Sequence, residues 1–600
     1  MEKGDYTISD IYQGGYSSLK PNYGDIFTGY RVDARNLGMS TDARTANVLK
    51  EVSENLSAGA KTVELTQVSP EVFDAIPKDQ LKEINRLSKL VGADVSVHAP
   101  IMEPSGISQQ GFSNIEREAT ERQMNSAVER SHEISPDGNV PVTFHSSAII
   151  PSTQYKMTPE GKKIERLIVI NQETGKMAPI EEEAKHYPGI IELEKGKIYT
   201  PKEELDALNN TEWINSITNL EFYKKEADEA MQGALIPLAP LLTESEQGKP
   251  IEITTPQQKA AMNQLQRAEI FLNNVETSFN SLYNKAYKYS DEKSKEKLKE
   301  ISDEWVKNIE EIKKQGNELN YPILKSQLLD HAIEKIRMVA PPKGYVPVED
   351  FAIKHSSETF GNVAFNSYKK FGEKAPIISI ENPPAGGGLS TGEDLKKLVE
   401  VSREKFVEKA VQEGMSESQA KLQAEKLLGV TWDVGHINML RKQGYEEKDI
   451  IKETEKIAPL VKHVHLSDNF GFEHTELPMG MGNVPIKEIM EKLGKEGYKG
   501  KKIIEAMSWW QHFSPGGKQN PPLKPTLEAM GSPIYAIDMA PYWNQTPGFQ
   551  QGYFSGYGQM LPPQNYQTWG SGFSMASLPI ELGGQMPGAQ GSRMSGKPME

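Results

Sequence analysis

The sequence predicts an α/β chain built around a (β/α)8 barrel, and three observations predict it. Short β-branched runs alternate with helical text through two stretches, 26–150 and 346–514. Together these stretches come close to the roughly 250 residues typical of such a barrel. The runs also end, one after another, on an ionisable residue. A length of 600 residues suggests three or four units, at roughly 100–200 residues per domain.

In chain order, residues 1–25 form an N-terminal extension and YRVDARNLG (30–38) reads as the initial strand. TVELTQ, helical PKDQLKEINRLSKLVG, ADVSVHAP, a long polar helix and VPVTFHSSA follow, which is the βαβ rhythm of a parallel sheet. The rhythm resumes with PIISIEN, GVTWDVGH, KHVHLSD and KKIIEAMSW, spaced by helices such as GEDLKKLVEVSREKFVEKAV and PIKEIMEKLGKEG.

Between the halves, 151–345 reads as a large α-rich insertion after the fourth strand. It opens on hairpin-like text, IERLIVINQETGKMAPI and GIIELEKGKIYTP. Two apolar seams follow at 3-4 spacing: Leu265, Ala268, Leu272, Val275, Phe279, Leu282 and Ala286, then Leu298, Ile301, Trp305, Ile309 and Ile312. They predict an antiparallel α-hairpin. From Pro515 the text holds 14 Gly and 12 Pro in 86 residues, a composition that predicts a disordered C-terminal tail over 515–600.

Composition narrows the chemistry. With no cysteine, any metal must be held by imidazole and carboxylate. No apolar run reaches membrane-spanning length and the N-terminus lacks a signal pattern, so the expectation is a cytoplasmic protein with no membrane partner. A net charge of -15 disfavours a broad electrostatic grip on nucleic acid, though it leaves room for a locally basic groove.

Reactive residues of an α/β barrel gather at the C-terminal ends of its strands. Here His98 ends VSVH, His145 ends VTFH, Glu381 ends ISIE, Asp433 ends VTWD, His465 lies in HVHL and Glu505 ends KIIE. Singly, each has an ordinary explanation: a strand-end histidine is often structural, and a carboxylate often caps the next helix. Six at equivalent positions predict a shared metal site, and mixed imidazole and carboxylate ligands suit Zn or Mn. Asp433 and His436 form D-V-G-H, and His474 and Glu476 form H-T-E, both able to turn paired ligands toward the same mouth. His463 is read as facing away from His465, and His132, His186, His331, His355 and His512 as ordinary histidines.

The motifs VHAP, TFHSS, SIENPPAGGG, TWDVGH, HVHLSDN, LPMGMGN and IIEAMSW resemble those of the xylose isomerase-like TIM barrels, and within them the endonuclease IV type (AP endonuclease family 2). The resemblance covers about half of the chain and neither the insertion nor the tail. It implies a TIM barrel with nine ligands for about three Zn ions, Mn being the alternative. His98, His145 and Glu381 would hold the first ion, Glu381, Asp433, His465 and Glu505 the second, and His436, His474 and Glu476 the third. Glu381 would bridge two ions, and Glu381 and Glu505 carry the catalytic roles. The third pair reads His-x-Glu where the nuclease usually has Asp-x-His, and Ile101 and Met102 stand where it places an aromatic that opens DNA.

Three functions follow as expectations. The first is a metal-dependent hydrolase, a DNA-repair phosphodiesterase acting on DNA with abasic sites. The second is a sugar or sugar-phosphate isomerase or epimerase with a small sugar substrate, using one or two ions on the tetrad Glu381, Asp433, His465 and Glu505. The third is a non-catalytic binding protein that keeps the fold. Protein partners of the insertion and tail are not specified by the sequence.

Overall fold

The computed structural model describes residues 36–505, apart from 44–46, 58–59, 68, 159–160, 187–195, 247–252, 316–318, 478 and 499, together with Thr526. The extension, the start of YRVDARNLG, His512 and, apart from Thr526, the tail expected to be disordered lie outside the described residues. Two compact units result: a barrel unit with residues up to Ile168, Thr174–Met177 and Pro347 onward, and a helical unit of Val169–Glu173 and Ala178–Val346.

Eight strands close the barrel: β1 Leu37–Ser40, β2 Thr62–Thr66, β3 Asp94–His98, β4 Pro141–His145, β5 Ile377–Glu381, β6 Leu428–Asp433, β7 Val461–Leu466 and β8 Lys502–Ile504. The printed pairings of the barrel strands are parallel, with β1 pairing both β2 and β8. The insertion thus does leave after the fourth strand. The first strand lies later than read, over Leu37–Ser40, where Leu37 and Met39 are buried.

Period-2 alternation sorts the strand residues into two layers. Val97, Val142, Phe144, Ile378, Ile380, Val430, Trp432, Val464 and Leu466 are buried apolar positions. Their odd-even neighbours are polar: Ser96, Thr143, Ser379, Thr431 and His463, all buried. The polar set satisfies itself, because Thr143 Oγ1 meets Thr431 Oγ1 at 2.9 Å and Thr431 Oγ1 donates to Ser379 Oγ at 2.6 Å. Buried hydroxyls without partners would each cost about 1–3 kcal/mol, so this pairing keeps a polar barrel interior affordable beneath the strand ends.

Around the barrel, helices Asn114–Ile134, Val348–Phe371 and Gly392–Gln412 pack in sequence. The last starts where expected because the Thr391 side chain accepts from Asp394 N at 3.2 Å, an N-cap. Val348–Phe371 follows the insertion and is the helix that leads into β5.

In the insertion, Gln154–Thr158 pairs antiparallel with Gly161–Asn171, which also pairs Met177–Glu181. The second expected hairpin is displaced: Lys197–Tyr199 pairs Glu183–Lys185, while 187–195 lies outside the described residues. The helical unit contains four long helices, Pro201–Glu246, Pro256–Tyr289, Glu292–Gln315 and Tyr321–Arg337, so the expected α-hairpin is the middle pair of a larger bundle. All seven residues of the first seam are buried; in the second, Leu298, Ile301 and Ile312 are buried and Trp305 is partly covered. Phe279 stacks on Trp305 with ring centroids 5.5 Å apart. Around Phe279 the core includes Trp213, Leu272, Val275, Leu298 and Leu329, contributed by all four helices.

Phe279→Ala removes a buried aromatic and leaves a cavity, and is expected to destabilise the helical unit by about 3–5 kcal/mol. Denaturant unfolding followed by helical ellipticity should show one transition moved to lower denaturant while the barrel transition stays in place. A uniform shift of a single transition would mean that the two units unfold as one.

Candidate metal centre

Strand register brings the site together. Glu381, the last residue of β5, lies level with His145 at the end of β4. Asp433 at the end of β6 lies level with His465 on β7. His98 ends β3, and Glu505, one residue past β8, is anchored by its N–H to Leu466 O at 2.9 Å. Parallel strands point the same way, so all six side chains emerge at one end of the barrel.

Glu381 is fully buried at the centre. Its Oε2 lies 3.0 Å from His98 Nε2 and 3.3 Å from His145 Nε2, and its Oε1 lies 2.7 Å from His465 Nδ1. His465 Nδ1 is also 3.2 Å from Glu505 Oε1. Ligand atoms of Glu381, Asp433, His465 and Glu505 all fall within 4.8 Å of one another.

The turn after β6 supplies the next group. Asp433 Oδ1 accepts from His436 N at 2.7 Å, so the carboxylate does cap a helical turn, yet among the described residues its buried Oδ2 has no hydrogen-bond partner. Asn382 clamps the turn from β5, accepting from Asp433 N and donating to Asp433 O, both at 2.9 Å. Gly435 is required inside D-V-G-H, because a Cβ there would lie 2.0 Å from Ser467 Oγ. His436 Nε2 then lies 2.8 Å from His474 Nε2, and His474 Nε2 lies 3.1 Å from Glu476 Oε1. His436, His474 and Glu476 form a separate ligand group, more open to solvent than the tetrad.

The loop carrying His474 and Glu476 is closed by Asp468. Its two oxygens accept from the backbone N–H groups of Asn469, Gly480, Gly482 and Val484 at 2.8–3.1 Å. Burial lifts the Asp468 carboxyl to about 7 against those four donors. Glu476 has φ +41°, a left-handed conformation that costs a non-glycine residue of order 1–3 kcal/mol and is stored where surrounding structure enforces it.

The donor set fits divalent ions held by nitrogen and oxygen. A carbonyl can only accept, so His98 Nδ1, 3.0 Å from Ala99 O, and His436 Nδ1, 2.7 Å from Asn382 O, each carry the proton. Their Nε2 atoms then face Glu381 and His474. Acceptor atoms so close need a proton or a cation between them, and the unpartnered Asp433 Oδ2 belongs to the same cluster.

Electrostatics follow the crowding. Burial would raise Glu381, but His465, His145 and His98 hold its carboxyl well below the usual range. Burial pushes Glu505 well above it, against His465 and with Glu381, Asp433 and Glu476 adding their repulsion. Burial pushes His145 down to about 3 despite Glu381. Against burial, Glu505, Glu64 and Glu381 raise His465 well above an ordinary histidine.

Two residues correct the sequence reading. His463 does not face away from His465: positions two apart on a strand share a face, and their ring centroids are 5.2 Å apart. Glu64, in the middle of β2 and fully buried, is absent from the strand-end series, yet its Oε2 lies 2.9 Å from His463 Nε2 and its Oε1 3.0 Å from His465 Nε2. The signal was a carboxylate inside TVELT, on a strand otherwise apolar or hydroxylated. Elsewhere His132 stacks on Phe371 and His355 packs between Phe112 and Phe351, as ordinary histidines do. Ile101 is exposed and Met102 buried.

Comparison with known proteins bears on the second half of the barrel. Residues 416–529, which include β6 to β8, match the family described as "Xylose isomerase-like TIM barrel". An uncharacterized protein of Methanocaldococcus jannaschii, MJ1311, is 35% identical over 80 residues, which is 13% of this chain; the chain spans only 26% of that relative's length. Among solved structures, a D-tagatose 3-epimerase-like protein aligns over 86% of this chain and 98% of its own, at 13% identity and a TM-score of 0.36. The 3-keto-D-glucoside 4-epimerase YcjR of E. coli aligns over 78% and 91%, at 10% identity and a TM-score of 0.32. A D-psicose 3-epimerase aligns over 87% and 99%, at 9% identity and a TM-score of 0.33. At those scores the structural likenesses carry no argument. No helix among the described residues is long and apolar enough to cross a membrane. The closed eight-stranded parallel barrel and the match over residues 416–529 support the xylose isomerase-like TIM barrel superfamily, without singling out the endonuclease IV type.

Proposed function

We propose that the chain is a metal-dependent enzyme and that its activity is phosphodiester hydrolysis at a three-ion centre of the endonuclease IV type. The observation that supports this most is the division of Glu381: one oxygen faces His98 and His145, the other faces His465. A single-ion site has no need of the first pair, nor of the separate His436–His474–Glu476 group. The first ion would be held by His98, His145 and Glu381, the second by Glu381, Asp433, His465 and Glu505, the third by His436, His474 and Glu476. Zn is the first choice and Mn the second, on the nitrogen and oxygen donors available. When bound, such ions supply Lewis acidity toward a phosphoryl oxygen and ease the ionisation of water near neutral pH. The protein's own part is positional: Glu381 fixes the spacing between two groups, and Asn382 holds Asp433 and His436 in one turn. DNA carrying an abasic site is the substrate of this reading, and exposed Ile101, three residues past His98, is the apolar side chain available to press on an unstacked base.

A second reading, isomerisation or epimerisation of a small sugar, is favoured by a different observation. Ligand atoms of Glu381, Asp433, His465 and Glu505 lie within 4.8 Å of one another and form a complete four-ligand group by themselves. Two carboxyls in one such group, Glu381 and Glu505, suit proton removal and return next to a carbonyl. Only Glu381, Asp433, His465 and Glu505 are needed for it.

Protein purified without added metal is expected to carry about three transition-metal ions per chain by elemental analysis. A single ion that survives His98→Ala and His145→Ala would instead support the sugar reading.

Glu381→Gln is expected to weaken two groups at once, whereas Glu476→Gln should disturb only the third. Cleavage of a duplex with one abasic site should therefore be lost in Glu381→Gln and reduced in Glu476→Gln. Interconversion of ketoses and aldoses that survives Glu476→Gln but not Glu381→Gln would overturn hydrolysis and establish the isomerase.

A further inference from the structure

For two of the candidate ligand histidines the far ring nitrogen is fixed by a backbone carbonyl: His98 by Ala99 O and His436 by Asn382 O. His465 has no such carbonyl among its described partners. Its Nδ1 faces Glu381 and Glu505, and its Nε2 faces down the barrel toward Glu64 Oε1 at 3.0 Å. Among the described residues neither His465 Nε2 nor Glu64 Oε1 has a hydrogen-bond partner, and both are buried. Leaving both unpaired would be costly, and they lie 3.0 Å from each other.

Glu64 is itself oriented from one side. Its Oε2 accepts from Ser96 Oγ at 2.7 Å and lies 2.9 Å from His463 Nε2. With that oxygen taken, the carboxylate plane is set and Oε1 is left for His465. We propose that Glu64, held by Ser96 and His463, is the positioning residue of His465: it takes the Nε2–H, fixes the ring and leaves Nδ1 directed at Glu381 and Glu505. Three strands contribute, with Glu64 on β2, Ser96 on β3 and His463 and His465 on β7, and the arrangement lies one layer below the strand ends. It extends to the barrel interior the rule that a ligating imidazole donates its other N–H to a carboxylate or carbonyl. This inference rests on the metal-centre reading only for its consequence, a stronger site at His465.

The test has a metal-free arm and a metal arm. In metal-free protein with 15N-labelled histidine, wild type should show a solvent-protected imidazole Nε2–H resonance that His465→Gln removes. The resonance should be lost in Glu64→Ala and kept, though shifted, in Glu64→Gln, whose amide oxygen can still accept. Persistence of an unchanged resonance in Glu64→Ala overturns the proposal. In the metal arm, Zn is titrated against a chromophoric chelator. Glu64→Ala should weaken one class of site by roughly 10–100-fold, Glu64→Gln by less, while the site removed by His474→Ala keeps its affinity. A purely structural role would lower the unfolding midpoint without this selectivity and would overturn the proposal. So would an additional ion in wild type lost equally in Glu64→Gln and His463→Ala, since Glu64, His463 and His465 would then be ligands in their own right. Wild type that takes up no Zn while the Nε2–H result holds would sink the metal-centre reading and leave the positioning of His465 standing.

Discussion

The burial of the Glu381 carboxylate at the end of β5 is the constraint on which the rest of the site depends. A carboxylate withdrawn from water is held ionised only by positive partners or strong donors, and here those are imidazoles from β3, β4 and β7. The strand register answers the need directly, setting His145 level with Glu381 and His465 level with Asp433. A slip of one residue in either pairing would turn the partner to the outside of the barrel. Barrel closure and site chemistry are therefore the same requirement seen at two scales.

Beneath the strand ends, the interior is built to hold that cluster in place. Thr143, Thr431 and Ser379 satisfy one another across β4, β5 and β6, while Ser96, Glu64 and His463 occupy the opposite side. An apolar interior would pack as well, but it could not orient an imidazole. Groups held within hydrogen-bond reach by a supporting layer are what give a reactive site its precision.

The two ends of the candidate centre differ in kind. Glu381, Asp433 and His465 sit on strands and are fully buried, so their geometry is that of the barrel itself. His474 and Glu476 sit on a loop, more exposed, with Glu476 at positive φ and Asp468 closing the loop through four backbone amides. Ligands on strands set a constant distance, and ligands on a loop can adapt to what approaches. Such a division suits a centre whose deep part activates and whose open part meets the substrate.

The sequence by itself determined the barrel, the insertion after its fourth strand and the strand-end residues that converge, because period-2 apolar runs and chain direction are local properties. It also marked the Leu265-to-Ala286 seam, since 3-4 spacing declares a buried helical face wherever it occurs. Only the tertiary structure decided that the α-hairpin is part of a four-helix bundle, because which seams meet depends on contacts far apart in the chain. It alone decided the place of Glu64 and His463: a lone glutamate in TVELT marks a carboxylate on a strand but not its partner, which is a histidine almost four hundred positions later. The opposite tendencies of Glu381 and Glu505 were decided there too: burial raises both carboxyls, and only at Glu381 do three histidines override it, because the charge state of a carboxyl depends on what surrounds it in space, which neighbours in sequence do not specify.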